Sequence, residues 1–167
     1  RGTARQSCHQ VREHLIVNVT DQLHALLAKR ILVLDGAMGT ELERRGVATE
    51  LPLWSTLALL EGPERVTEIH QDYAAAGAEI LTANTFRTQR RTLRRKQRTE
   101  TAEELTRRAV GRARKVSSEA SRPILVAGSA PPLEDCYRPD LVPDDASLAR
   151  EHSEHLRCLL EAGVDLV

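Results

Sequence analysis

Four short apolar runs set the tightest limit on how this chain can fold: ILVL at 31–34, EILTA at 79–83, ILVAG at 124–128 and VDLV at 164–167. None is long enough for a stable helix, and none alternates apolar with polar residues as a half-exposed strand would. The first reads as a strand buried on both sides, and the other three as further strands. Between them the spacing turns helical. Val66, Ile69, Tyr73 and Ala76 share one face of a segment that opens at Pro63 and ends at Gly77, and proline suits a first helical turn. Ala102, Leu105, Ala109 and Val116 mark the buried side of a helix over 99–118, and a helix over 146–162 stops at Gly163. Shorter helical stretches are expected at 21–30 and 56–60. This alternation predicts an α/β protein with a parallel sheet and helical crossovers.

Both a doubly wound sheet and a (β/α)8 barrel of the TIM type begin this way, and in both the ligand sits at the C-terminal ends of the strands. The segments at those ends are DGAMGT, NTFRTQ and GSAPPLEDCYRPD. The third is long for a connector, and loops of that length are often functional. Val167 falls within the fourth apolar run, and four strands do not close a barrel. The expectation is the first half of one, with an open sheet edge that invites self-association.

Composition narrows the function classes. A chain of 167 residues suits one domain with a core of its own. Aromatics are only 2%, so the core must be aliphatic, and base-stacking nucleic-acid binding is disfavoured. Lys plus Arg equals Asp plus Glu, 24 of each, so no net field favours nucleic acid or anionic lipid. No apolar run approaches the ~20 residues of a membrane span. The N-terminal stretch has no apolar signal core. Cys8, Cys136 and Cys158 are widely spaced without a CxxC, which points away from a disulfide framework or a zinc finger and towards a cytoplasmic setting.

Several residues at the strand ends carry possible chemistry. Asp35 follows the first run directly, where its carboxylate would either accept hydrogen bonds from a ligand ammonium or cap the short helix after Gly39. DGAMGT has neither GxGxxG nor GxxxxGK[ST], so phosphate binding has no support. Asn84, Thr85 and Arg87 would orient a carboxylate or carbonyl, pair with an anion, or cap the next turn. Glu134 to Arg138 read as an internally paired surface loop, since Cys136 has no companion at ligand spacing. RRTLRRKQR at 90–98 is followed by Glu100, Glu103 and Glu104, the pattern of a solvated, salt-bridged helical face. His152 and His155 are expected on the surface, and His70 is expected to be partly buried on its helix.

LDGAMGTELERRG, the Leu53-Trp54 pair, AGAEILTANTFRT and GSAPPLEDCYRPDLVP, in that order, resemble the homocysteine S-methyltransferase family from about Ile31 to Val167. The resemblance implies a (β/α)8 barrel of which residues 31–167 cover about the first four β/α units, after an N-terminal extension and short helix over 1–30. It implies transfer of a methyl group from a small activated donor to homocysteine, giving methionine. In the family a zinc ion on three cysteine thiolates binds the homocysteine sulfur and favours its thiolate, since a free thiol ionises only near ~8.5. Those cysteines lie past Val167, so the chain itself is expected to hold no metal and to be inactive. The residues that carry over to substrate binding are Asp35, Gly36, Trp54, Asn84 and Thr85, with Asp35 taking the substrate ammonium. Partners are thus homocysteine and a methyl donor, with neither nucleic acid nor membrane. The doubled proline Pro131-Pro132 replaces the family's more usual GSVAP pattern. A non-catalytic fragment that associates through its open sheet is the alternative. A phosphate-binding aldolase-type barrel lacks its lysine or phosphate loop here.

Overall fold

The computed structural model describes Asp21 and residues 23–95 and 100–167. In chain order its helices are α1 (Met38–Arg44), α2 (Ala58–Glu61), α3 (Pro63–Ala75), α4 (Arg90–Arg95), α5 (Ala102–Glu119) and α6 (Asp145–Ala162), with strands β1 (Ile80–Thr82) and β2 (Leu125–Ala127). Single 3-10 turns lie at Ser55–Leu57 and Pro139–Leu141. The first predicted helix is helical at Asp21 and at 23–27. Cys8, the 1–20 segment, Lys96 and the start assigned to the second long helix at Thr99 lie outside the described residues.

β1 and β2 pair in parallel, with Ile80 opposite Leu125 and Thr82 opposite Ala127. Single parallel bridges, Leu34–Ile80 and Ala127–Leu166, add the first and fourth runs to the two sides. The four segments therefore stand side by side in chain order, each crossover carrying helix. The first run corrects the expectation of a strand buried on both faces, and the fourth is exposed in the same way. Ile31 is 88% exposed and Val33, Leu34 and Val167 are more than half exposed. Among the described residues each outer run has a strand neighbour on one side only, so its pairing shrinks to a single bridge.

Local sequence sets the helix ends. Thr101 and Glu104 form a capping box at the start of α5, satisfying two backbone N–H groups reciprocally. The Asp144 side chain accepts the Ser147 N–H at the start of α6, and Gly163 ends that helix with φ 87°, a left-handed turn that glycine adopts without penalty. Pro63 opens α3 as its spacing predicts.

The core has two clusters. Leu42, Leu53, Leu59, Ile69, Leu105 and Ala109 belong to the first, and Leu81, Val110, Ala113, Val116, Ile124 and Val126 to the second. α5 contributes to both, Leu105 and Ala109 on one side and Val110, Ala113 and Val116 on the other. Tyr73 of α3 packs against both clusters as well. Polar ties then fix the sheet's second side. Arg114 pairs with Asp165 at 2.6 Å, while the other oxygen of that carboxylate accepts the Val126 N–H at 2.7 Å. No helix among the described residues is long and apolar enough to cross a membrane.

Candidate functional site

At the C-terminal ends of the first three runs lies an open cleft of about 270 Å³, lined by Asp35 to Gly39, Trp54, Ser55, Thr82 to Asn84, Phe86 and Ser129. Of the substrate-binding residues expected from sequence, Asp35, Gly36, Trp54 and Asn84 line it. Thr85 does not.

Asp35 forms the polar end of the cleft. Its Oδ2 accepts the Thr82 backbone N–H at 2.8 Å and its Oδ1 accepts the Thr82 hydroxyl at 2.8 Å. It does not cap α1, whose first turn is preceded by Ala37 without a side-chain cap. Burial raises the Asp35 pKa, and the two Thr82 hydrogen bonds pull the other way by favouring the carboxylate. Among the described residues no Lys or Arg comes within ion-pair distance of it. The nearest titratable nitrogen is His70 Nδ1, 4.0 Å from Asp35 Oδ2. His70 is 0% exposed, which corrects the expectation of a partly buried helix residue. Burial lowers its pKa from 6.5 to about 4, so it is neutral at physiological pH.

The glycines of the first loop are needed for close approach. A Cβ on Gly36 would lie 2.7 Å from Tyr73 Oη, and one on Gly39 would lie 2.7 Å from Trp54 Cζ2. So the loop passes directly over two aromatic side chains. Trp54 meets Phe86 edge to face, centroids 5.8 Å apart at 76°, an arrangement favoured by the ring quadrupoles. Arg87 lies over the Phe86 ring, 5.1 Å from its centroid. Trp54 itself has φ 48° and ψ −129°, a strained conformation for a bulky residue, and such strain clusters at functional sites.

Asn84 and Ser55 lock the middle of the cleft. The Ser55 hydroxyl donates to Asn84 Oδ1 and Asn84 Nδ2 donates to the Ser55 carbonyl, each at 2.8 Å. Thr85 is buried behind them, where its hydroxyl oxygen accepts the Ser129 N–H at 2.8 Å. The His155 Nε2–H donates to the Ser129 carbonyl at 3.0 Å. Thr85 and His155 thus fix Ser129, which does line the cleft. His155 is 3% exposed, against the surface position expected for it.

The third loop is tied down by charge. Arg91 bridges Glu134 at 2.9 Å and Glu151 at 2.5 Å, and Arg90 pairs with Glu103 at 2.5 Å. The expected salt-bridged face holds for this described part of the basic run. Arg87 is buried and donates to the Glu134 carbonyl at 3.2 Å.

Cys136 is exposed and Cys158 is buried on α6, where burial raises its pKa. Among the described residues no group of three or more His, Cys, Asp or Glu side chains could hold a metal ion. The described residues therefore do not fit the three-thiolate zinc site that the resemblance implies.

Parallel β/α units with a cleft at the strand ends define an α/β protein with a small-molecule site in the usual place for that class. The sequence profile described as Homocysteine S-methyltransferase matches residues 32–167. The chain belongs to the homocysteine S-methyltransferase family. It is 38% identical over 159 residues to the homocysteine S-methyltransferase of Escherichia coli K12, covering 87% of this chain and 51% of that protein. It is 50% identical over 56 residues to the Bacillus subtilis homocysteine S-methyltransferase YbgG, 34% of this chain and 18% of that protein. The crystal structure of the E. coli homocysteine methyltransferase MmuM in its metallated form superposes with a TM-score of 0.75 at 36% identity, covering 86% of this chain and 55% of that one. The chain spans about half the length of these longer-matching relatives.

Proposed function

We propose that this chain carries the wall that holds the amino-acid part of homocysteine in a homocysteine S-methyltransferase. In this reading residues 31–167 are the first four β/α units of a (β/α)8 barrel, preceded by an extension over 1–30. The cleft beside Asp35 takes the substrate's ammonium group. The supporting observation is the Asp35 carboxylate itself: it lines the cleft, is oriented by two hydrogen bonds from Thr82, and has no Lys or Arg neighbour among the described residues. A fixed carboxylate without a basic partner is suited to an incoming ammonium, and the charge-assisted hydrogen bond is a strong one. Trp54 and Phe86 supply the apolar side of the cleft.

The reaction assigned to the whole enzyme is attack of the homocysteine sulfur on an activated methyl carbon. The new S–CH3 bond forms as the bond to the donor breaks, the thiol proton is lost, and methionine results. The residues described here bind and orient the amino acid and keep the cleft wall rigid. Titration calorimetry of the chain with L-homocysteine tests this reading. Asp35→Asn is expected to weaken binding at least about tenfold, the scale of a lost hydrogen bond to a charged group; equal affinity for the two proteins rejects the reading.

A second reading is favoured by one observation. Ile31, Val33, Leu34 and Val167 expose apolar surface on the outer runs, and exposed strand edges associate. Self-association through those runs would make the mass measured by sedimentation equilibrium rise with protein concentration, whereas a constant monomer mass rejects it.

A further inference from the structure

His70 is a buried titratable group that the reading above leaves without a task. It sits on α3 behind the Asp35 carboxylate, fully out of solvent, and neither ring nitrogen has a hydrogen-bond partner among the described residues. A neutral imidazole always carries one N–H, and a buried donor left unmade is costly. The charged acceptor nearest to it is Asp35 Oδ2, 4.0 Å from Nδ1, about 1 Å beyond hydrogen-bond range. Oδ2 already accepts the Thr82 N–H at 2.8 Å, and an sp2 oxygen has room for a second donor.

We propose that His70 is the positioning residue of Asp35: its Nδ1–H closes on Oδ2 from the buried side when an ammonium occupies the cleft side, holding the carboxylate ionised and fixed in rotation. The inference rests on the reading that Asp35 receives the substrate amine. Two features of the site make such a donor useful. Burial disfavours the charged form of Asp35, so a donor to the carboxylate offsets that penalty. Thr82 also approaches from one residue only, and a third donor from a different element removes the remaining freedom of the carboxylate plane. His70 can do this without introducing charge, because burial keeps its ring neutral. A permanently charged partner at that position would instead compete with the ammonium for Asp35.

The test compares His70→Leu, which keeps bulk and loses the donor, with His70→Asn, which keeps a donor near the Nδ1 position. L-homocysteine and 4-sulfanylbutanoate, the same molecule without its amine, are the two probes. His70→Leu is expected to weaken homocysteine about tenfold, to leave 4-sulfanylbutanoate unchanged and to raise the Asp35 carboxyl pKa followed by 13C NMR. His70→Asn should restore all three towards the starting values. A purely structural role would weaken both probes alike without rescue, and that pattern overturns the inference. So does an unchanged homocysteine affinity in His70→Leu when Asp35→Asn has lost it. If Asp35→Asn loses nothing, the substrate reading falls first and the inference with it. Should His70→Leu fail to fold, 15N spectra of the unaltered protein decide: an Nδ1–H tautomer in the presence of homocysteine is expected, and an Nε2–H tautomer overturns the proposal.

Discussion

Gly39 lies against the indole of Trp54 so closely that a Cβ on the glycine would stand 2.7 Å from Cζ2. The indole cannot easily yield, because its edge is already against Phe86 and its backbone is held at φ 48°. Gly39→Ala is therefore expected to cost about 1–3 kcal/mol, the range for forcing extra atoms into a packed site. Trp54 is the chain's only tryptophan. Its emission should shift in the same variant, and an unchanged spectrum with an unchanged melting temperature would refute the contact.

Thr82 makes both hydrogen bonds that orient Asp35, one through the backbone and one through the hydroxyl. Thr82→Val deletes only the second. The expected result is a loss of about 1–2 kcal/mol in homocysteine binding, with little change in fold because valine keeps the strand's shape. Calorimetry on Thr82→Val and Thr82→Ser separates the hydroxyl from the methyl: serine should bind as threonine does.

Acid should unfold this protein through its buried histidines. The folded-state pKa of His70 is depressed from 6.5 to about 4, and that of His155 is also depressed, in each case chiefly by burial. Between those limits the unfolded chain binds more protons than the folded one, so stability is complete above about pH 6.5 and falls as pH drops towards 4. The His70 contribution alone is about 3 kcal/mol over that window. Asp35 works in the opposite sense, since its raised pKa favours the folded state at low pH and that contribution is lost as pH rises through the folded value. Urea unfolding at pH 7 and pH 5 should give a lower midpoint at pH 5; equal midpoints contradict the assignment.

Arg91 joins α4 to the third loop through Glu134 and to α6 through Glu151. Arg91→Met keeps the stem and removes both pairs. Glu134 is almost wholly buried, so the change is expected to destabilise by about 2–3 kcal/mol, towards the lower end for breaking a buried pair. Proteolysis within 130–142 should also become faster. A cleavage rate equal to that of the unaltered chain would show that the ion pairs do not hold the loop.

The element order was legible because each crossover shows its helical period and each central strand is a short apolar run. Strand extent was not legible. Ile31 and Val33 look like buried strand residues, but exposure depends on what stands beside them, and sequence periodicity carries no term for a neighbour. At the cleft, DGAMGT and Trp54 were readable as motifs. His70 was missed although it lies four residues after Val66, on the inward stripe of α3. His155 was missed in the same way, for it shares a stripe with Cys158 and Leu159. Sequence places His155 on the surface and buries His70 only in part, because a polar residue on an apolar face shows no sign of the acceptor that the fold sets within or near its reach. Thr85 shows the converse: its motif position pointed to ligand, while its hydroxyl is engaged with Ser129.

The position of α5 has a mechanical consequence. The segments carrying Gly39 and Trp54 give Leu42 and Leu53 to the first cluster and the floor gives Leu81 and Ala83 to the second, yet one helix is built into both. Among the described residues, α5 ties the two sides of the cleft together. Melting should accordingly proceed as one cooperative event, the aromatic side and the floor losing structure at the same temperature.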